Sequence, residues 1–377
     1  MTDKVIKAAL NRAISLGETG IAVAVYYRGA LIIDEVAGVA NPTTNEIANP
    51  DTLWPVFSVT KGVTALAVHI QAERGFVDYA APVCKYWPEF GCNGKESITV
   101  EDALCHRAGI PQMPEGVTAE LMADWDWMVA QVANYTPVFA PGTANAYHVL
   151  VWGWLLGEVV RRTDPAKRTF DVFIQEEICK PLSITNFYLG VPDSHMDRVA
   201  KLSGGNAFPL KDQHNICPSL VFPGSAVHNQ PVIQQAVLPG AGAISTAASI
   251  ARIFALLAEG GEIDGVRLLS KARVSELAEP RHNARDPDKV LPIPVWFSKY
   301  GYWIGGEPNI SDPLVGGHRN IIYSPGAGGS LAFADLSDRI AVAICKNNMD
   351  SPAILEPERT ISPVIRAIRE VIAQQDF

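Results

Sequence analysis

With 377 residues, 48% apolar and only 19% charged, the chain has material for a large core, in one big domain or two interlocked lobes. A formal net charge of −9 and a pI near 5.4 argue against nucleic acid or an anionic membrane surface as partner, and suit a neutral or cationic ligand. No apolar run reaches the roughly 18 residues that a membrane span needs, and Met1-Thr2-Asp3-Lys4 leads into an amphipathic pattern instead of a signal-peptide core, so a cytoplasmic location is expected.

Apolar positions at Val5, Leu10, Ala13 and Ile14 predict a first helix over 4–16. The period then changes to that of strands, over 21–27 and 31–36, joined in a hairpin at Arg28-Gly29. A loop over 41–50, rich in turn formers, delivers the chain to a helix beginning at Ser58. Its buried stripe is Val59, Val63, Leu66, Ala67 and Ile70, and Arg74-Gly75 stops it. Further helices are predicted over 100–104, 119–132, 147–162, 170–178 and 245–257. Strands over 331–334 and 340–345 flank a turn at 336–339, and Ser362-Pro363 opens a last helix as N-cap and first-turn proline. The fold class expected is α+β: an antiparallel sheet completed by both termini, flanked by N- and C-terminal helices, with an inserted, mostly helical lobe. Residues 1–57 with 240–377 would form the α/β lobe and 58–239 the helical one, with the active site between them.

Ser58-Val59-Thr60-Lys61 carries the chemistry. On a helix, positions i and i+3 share a face with Cβ atoms roughly 5–6 Å apart, so the Lys61 amine reaches the Ser58 hydroxyl. The positive end of the helix dipole and a desolvated setting both lower a lysine pKa, which leaves a neutral amine able to take the serine proton. The free N–H of Ser58 at the same helix end can stabilise an oxyanion. This spacing arises by chance on the order of once in a chain of this length, so its weight depends on its companions. One is Tyr147, after the Pro141-Gly142 turn, whose phenol can pass a proton beside a Ser–Lys pair. Another is the glycine-rich stretch over 324–330, which opens a predicted strand where a substrate can lie against the backbone.

In this order, Ser58-x-x-Lys61, Tyr147 and the small-residue strand resemble the serine β-lactamase and penicillin-binding-protein superfamily. The stretch from Ile98 through Cys105-His106-Arg107-Ala108-Gly109-Ile110, and Gly240-Ala241-Gly242-Ala243, are similar to further segments of it. The run from Pro141 to Arg162 resembles the β-lactamase-like (family VIII type) esterases and transesterases. The resemblance covers nearly the whole chain. It implies that Ser58 is the acylated nucleophile, Lys61 and Tyr147 its proton-transfer partners, and the N–H groups of Ser58 and Ala327 the oxyanion hole. It implies a serine esterase or acyltransferase acting on a small carboxylic ester. The β-lactam enzymes usually carry Asn two residues after the tyrosine and a Lys-Thr-Gly type third motif, whereas this chain has Val149 and Ser324-Pro325-Gly326. Both changes remove polar contacts, and a Lys or His at the position of Ser324 would help bind a substrate carboxylate and tune Tyr147 electrostatically.

Ser324, Gly326, Trp303 and His148 are candidate substrate contacts, with His148 better explained as a structural hydrogen-bonding residue. Trp125, Trp127, Phe222, Trp296, Phe297 and Tyr302 are candidates for an apolar acyl pocket or for plain core packing. The six cysteines form no C-x-x-C pair or zinc spacing with histidine and are expected as free thiols, although Cys84 and Cys92 are near enough in sequence to close a short loop. No metal is expected, and without a phosphate-binding glycine motif no cofactor either. The rival readings are a β-lactamase or D-amino-acid peptidase, a non-catalytic binding or self-assembling member, and a site recruited for a biosynthetic rearrangement.

Overall fold

The computed structural model describes residues 2–205, 210–284, 286–307, 310–350 and 356–374. Met1 and residues 375–377, at the ends of the predicted α/β lobe, lie outside them. The elements used below are, in chain order, α1 (Thr2–Ser15), β1 (Gly20–Tyr27), β2 (Ala30–Asn41), β3 (Glu46–Ile47), β4 (Trp54–Pro55), α2 (Val59–Glu73) and α3 (Val100–Leu104). There follow α4 (Ala119–Ala123), α5 (Trp125–Asn134), α6 (Val151–Thr163), α7 (Phe170–Ile174), β5 (Phe187–Leu189), β6 (Ala243–Ser245) and α8 (Ala247–Ala258). Last come β7 (Trp303–Ile304), β8 (Ile321–Pro325), β9 (Leu331–Asp335), β10 (Ile340–Lys346) and α9 (Ile361–Ala373).

Arg28 and Gly29 hold φ of 49° and 82°, the left-handed pair that a two-residue type I′ turn needs, so β1 and β2 form the predicted hairpin. Seven antiparallel strands then assemble in the order β3-β2-β1-β10-β9-β8-β7, which places the first hairpin directly beside strands from the other end of the chain. Every residue of β1, β9 and β10 is buried, as expected of strands covered on both faces. Helix α8 packs across these three strands, while α1 packs on β2 and α9. Helix α2 lies between α6 and β8, and a small sheet β4-β6-β5 sits at its entrance. One hydrophobic cluster runs through the sheet and the helical region alike. Among the described residues, no helix is long and apolar enough to cross a membrane.

Several predicted elements change. The helix expected over 119–132 is two, because Asp124 leaves helical geometry and its carboxylate accepts the Trp127 N–H as the N-cap of α5. The helix expected from Tyr147 begins only at Val151, leaving Tyr147 in irregular chain. The segment over 170–178 is a short α-helix running into a π-helical turn (Gln175–Cys179). Ser362 is not the last helix's N-cap: that position falls to Thr360, and the Ser362 hydroxyl donates to Pro313 O. Ser324 and Pro325 end β8, a strand the sequence reading missed, and the glycine-rich turn then opens β9. Cys84 and Cys92 are free, their thiols directed at different carbonyls, Glu96 O and Ala133 O.

Candidate active site

The chain leaves β4, reverses at Phe57 and enters α2 with Ser58 as N-cap. Phe57 sits at φ 51°, a left-handed position that costs an ordinary residue about 1–2 kcal/mol. The surroundings hold it there. Its ring packs 4.6 Å from that of His228 and against Leu202 and Met349, and its carbonyl accepts the Thr60 N–H. The Thr60 hydroxyl in turn accepts the Ala243 N–H at 2.9 Å, which ties the turn to β6. Ser58 is thereby lifted to a partly exposed position above a buried helix.

Lys61 lies one turn on, buried, with its Nζ 3.0 Å from Ser58 Oγ and 2.7 Å from each of the Val149 and Gly240 carbonyls. No carboxylate is among these partners. Burial lowers its pKa to about 7, a nearby Cys217 thiol opposing the shift. Tyr147 closes the other side. Burial raises the pKa of its phenol well above the ordinary tyrosine value, with the neighbouring Ser58 opposing the shift, so it stays protonated. Its ring lies 5.1 Å from Lys61 Nζ.

Gly326 packs so tightly on the segment before Ser58 that a Cβ there would sit 2.3 Å from Val56 O. This close approach brings Ala327 to the same cleft as Ser58, and both line it. Among the described residues, neither the Ser58 nor the Ala327 N–H donates to a backbone carbonyl. Among the described residues the rest of the lining is Tyr147, Val149, Leu210, Phe222, Pro223, Leu291, Trp303, Pro325 and Gly326, none of them charged.

Of the candidate contacts, Gly326 and Trp303 line this cleft and the other two do not. Ser324 is buried and spends its hydroxyl on the Ser58 carbonyl, 2.7 Å away. His148 is fully buried: Nδ1 bonds Ala146 O at 2.6 Å while Nε2 accepts the Ile110 N–H, which makes it a neutral structural imidazole with a pKa lowered to about 4 by burial. Of the other aromatic candidates, Phe222 alone joins the lining. Trp125 donates to Glu158 and stacks on Phe170, Tyr302 donates to Gly62 O, and Phe297 packs edge-on to His106. Trp127 packs on the core and Trp296 borders a separate surface hollow.

His106, for which the sequence places no triad partner, is fully buried with its ring 4.5 Å from that of Tyr147. It accepts the His148 N–H on Nδ1, so the neutral ring carries its proton on Nε2. Its place in Leu104-Cys105-His106-Arg107-Ala108-Gly109 was the available signal. Among the described residues, His318, Asp335 and Asp338 bring ligand atoms within 4.8 Å of one another, at the end of β9 opposite the glycine-rich turn. His318 and Asp335 already approach as an ion pair at 3.6 Å, and neither lines the cleft.

The chain is similar along most of its length to several known proteins. A beta-lactamase family model matches residues 3–361. Esterase/beta-lactamase LipL of Mycobacterium tuberculosis is 33% identical over 371 residues, covering 94% of this chain and 83% of LipL. The crystal structure of a penicillin-binding protein homologue from Caulobacter crescentus superposes with a TM-score of 0.85 at 30% identity, covering 98% of this chain and 97% of that one. A family VIII carboxylesterase structure gives 0.85 at 28% identity over 97% of each chain. With the α+β architecture and the match along nearly its full length, the chain belongs to the beta-lactamase family.

Proposed function

We propose that the protein is a serine esterase that hydrolyses small neutral carboxylic esters, or passes their acyl group to a small acceptor, through an acyl-Ser58 intermediate. The observation that carries this reading is the buried Lys61 amine, 3.0 Å from Ser58 Oγ and with its pKa lowered to about 7. Neutral Lys61 takes the Ser58 proton as Oγ attacks the ester carbonyl. The N–H groups of Ser58 and Ala327 receive the developing oxyanion, a contribution of about 2.7–4 kcal/mol for each such donor. Tyr147, held as a phenol by burial, gives its proton to the departing alkoxide and recovers one through Lys61. Water or an alcohol then attacks the acyl-enzyme by the same steps in reverse.

The apolar lining favours an ester over a β-lactam, because among the described residues none of the side chains that line the cleft is cationic and able to receive a substrate carboxylate. The names of the relatives, an esterase/beta-lactamase and a family VIII carboxylesterase, support the same chemistry. Turnover of p-nitrophenyl butyrate and of a chromogenic cephalosporin tests this directly. The ester is expected to turn over at least about tenfold faster, and Ser58→Ala is expected to remove at least about a thousandfold of that rate. Intact-protein mass after fluorophosphonate treatment should show one adduct, lost in Ser58→Ala. Ester turnover that survives this substitution overturns the nucleophile assignment, and no adduct on the folded protein favours a binding role.

A further inference from the structure

Asp288 lies outside every motif read from the sequence, on the segment that leads to the cleft wall at Leu291. It is buried, and one carboxylate oxygen, Oδ1, accepts three backbone N–H groups: Tyr147 at 3.0 Å, Val290 at 2.8 Å and Leu291 at 2.9 Å. Tyr147 is in irregular chain before α6, so its N–H has no helical partner and this bond fixes its backbone. The other two N–H groups belong to the wall. Lys211 adds to the same joint, donating from Nζ to Asp288 O and from its backbone to Val290 O, each at 2.8 Å, next to Leu210 of the cleft.

The second oxygen, Oδ2, faces Arg281 Nη2 at 3.9 Å, beyond a hydrogen bond, and among the described residues neither of these buried atoms has a hydrogen-bond partner. Arg281 donates instead from Nη1 to Cys105 O, the residue before His106, whose ring lies against Tyr147. One buried carboxylate thus joins Tyr147 to the Val290–Leu291 wall of the cleft. Left without their acceptor, the three N–H groups would each carry a desolvation penalty, and the segment would shift to find water.

We propose that Asp288 is a positioning residue for acyl transfer: through Oδ1 it holds the Tyr147 backbone and the Val290–Leu291 wall in one rigid frame. The inference rests on the esterase reading for the role of Tyr147. The decisive measurement is a double-mutant cycle on p-nitrophenyl butyrate turnover. Asp288→Ala should lower kcat about tenfold or more in the native background and under about twofold in Tyr147→Phe, because its effect on kcat passes through the Tyr147 hydroxyl, while displacement of the Val290–Leu291 wall is read in KM in both backgrounds. Equal losses in both backgrounds overturn the proposal. Asp288→Asn keeps an acceptor oxygen of the same reach and should stay within about threefold of the native rate. A loss as large as that of Ala overturns it too.

If Asp288→Ala does not fold, Asp288→Ser, whose hydroxyl cannot reach all three donors, goes through the same cycle with the same criteria. Hydrogen exchange reads the frame without turnover: Asp288→Ala should speed exchange about tenfold or more in peptides holding Tyr147 and Leu291, and Asp288→Asn should not. Unchanged exchange overturns the frame. Ester turnover that survives Ser58→Ala, with exchange behaving as stated, marks the failure of the esterase reading and leaves the frame standing.

Discussion

Lys61 is wired to work in either protonation state. As an ammonium it donates to Ser58 Oγ, Val149 O and Gly240 O; as an amine it keeps the two carbonyls and turns its lone pair to the Ser58 hydroxyl. Hydrogen bonding therefore does not choose the state, and burial does, lowering the pKa to about 7. The base is active above that value and lost below it. Ester kcat/KM is expected to rise with pH with a midpoint near 7, and Tyr147, whose pKa is raised, contributes no limb in that range. A pH–rate profile from 5 to 9 checks this, and a flat profile removes Lys61 as the base. Lys61→Arg stays charged throughout and should abolish the limb together with the activity. Ser58, Lys61 and Tyr147 could be singled out because a hydroxyl, an amine and a phenol are side-chain groups that a sequence displays. The Val149 and Gly240 acceptors were not, since a backbone carbonyl has no sequence signature, and Ser324 looked like a substrate contact until its hydroxyl was found bonded to Ser58 O.

At the scale of elements, α6 fixes the depth of the site. Gly153 on this helix meets the chain at Pro239 and Gly240, where an added Cβ would lie 2.1 Å from Gly240 N and 2.6 Å from Pro239 C. Glycine to alanine within a helix usually stabilises by about 0.5–1 kcal/mol. Here both obstacles are backbone, so the segments must part, at about 1–3 kcal/mol. Gly240 O, an acceptor of Lys61, moves with them. Gly153→Ala is expected to lower the urea midpoint and also to cut ester kcat, with the residual activity still dependent on Ser58. Unchanged kcat would mean that the Lys61 acceptor tolerates displacement. Long amphipathic elements such as α2 and α8 were legible from their period. Strands β4, β5 and β6 were not, being two or three residues each and paired across distances such as Trp54 to Ser245. The break at Asp124 was written in the sequence as an N-cap but hidden within a continuous apolar pattern.

For the molecule as a whole, the sheet is closed by segments from opposite ends of the chain, with Ile21 paired to Lys346. The joint is sealed by charge. Lys346 Nζ lies 2.6 Å from Glu18 Oε1, both side chains almost wholly buried, and the Thr360 hydroxyl at the start of α9 donates to the same oxygen at 2.8 Å. Such a pair adds little net stability over apolar packing, but removing one partner strands the other charge at about 3–5 kcal/mol. Against a total of about 5–15 kcal/mol that is a large fraction. The same strand end reaches the site: Lys346 N–H donates to Ser330 Oγ, and Ser330 O accepts the Gly326 N–H in the turn that carries Ala327. Glu18→Leu alone is therefore expected to lose about 3–5 kcal/mol by urea unfolding and to weaken ester turnover as well. Glu18→Leu with Lys346→Met should recover most of the stability, because no buried charge is left unpaired. If the double variant is as unstable as the single one, the joint is held by the shape of these two side chains and not by their charges.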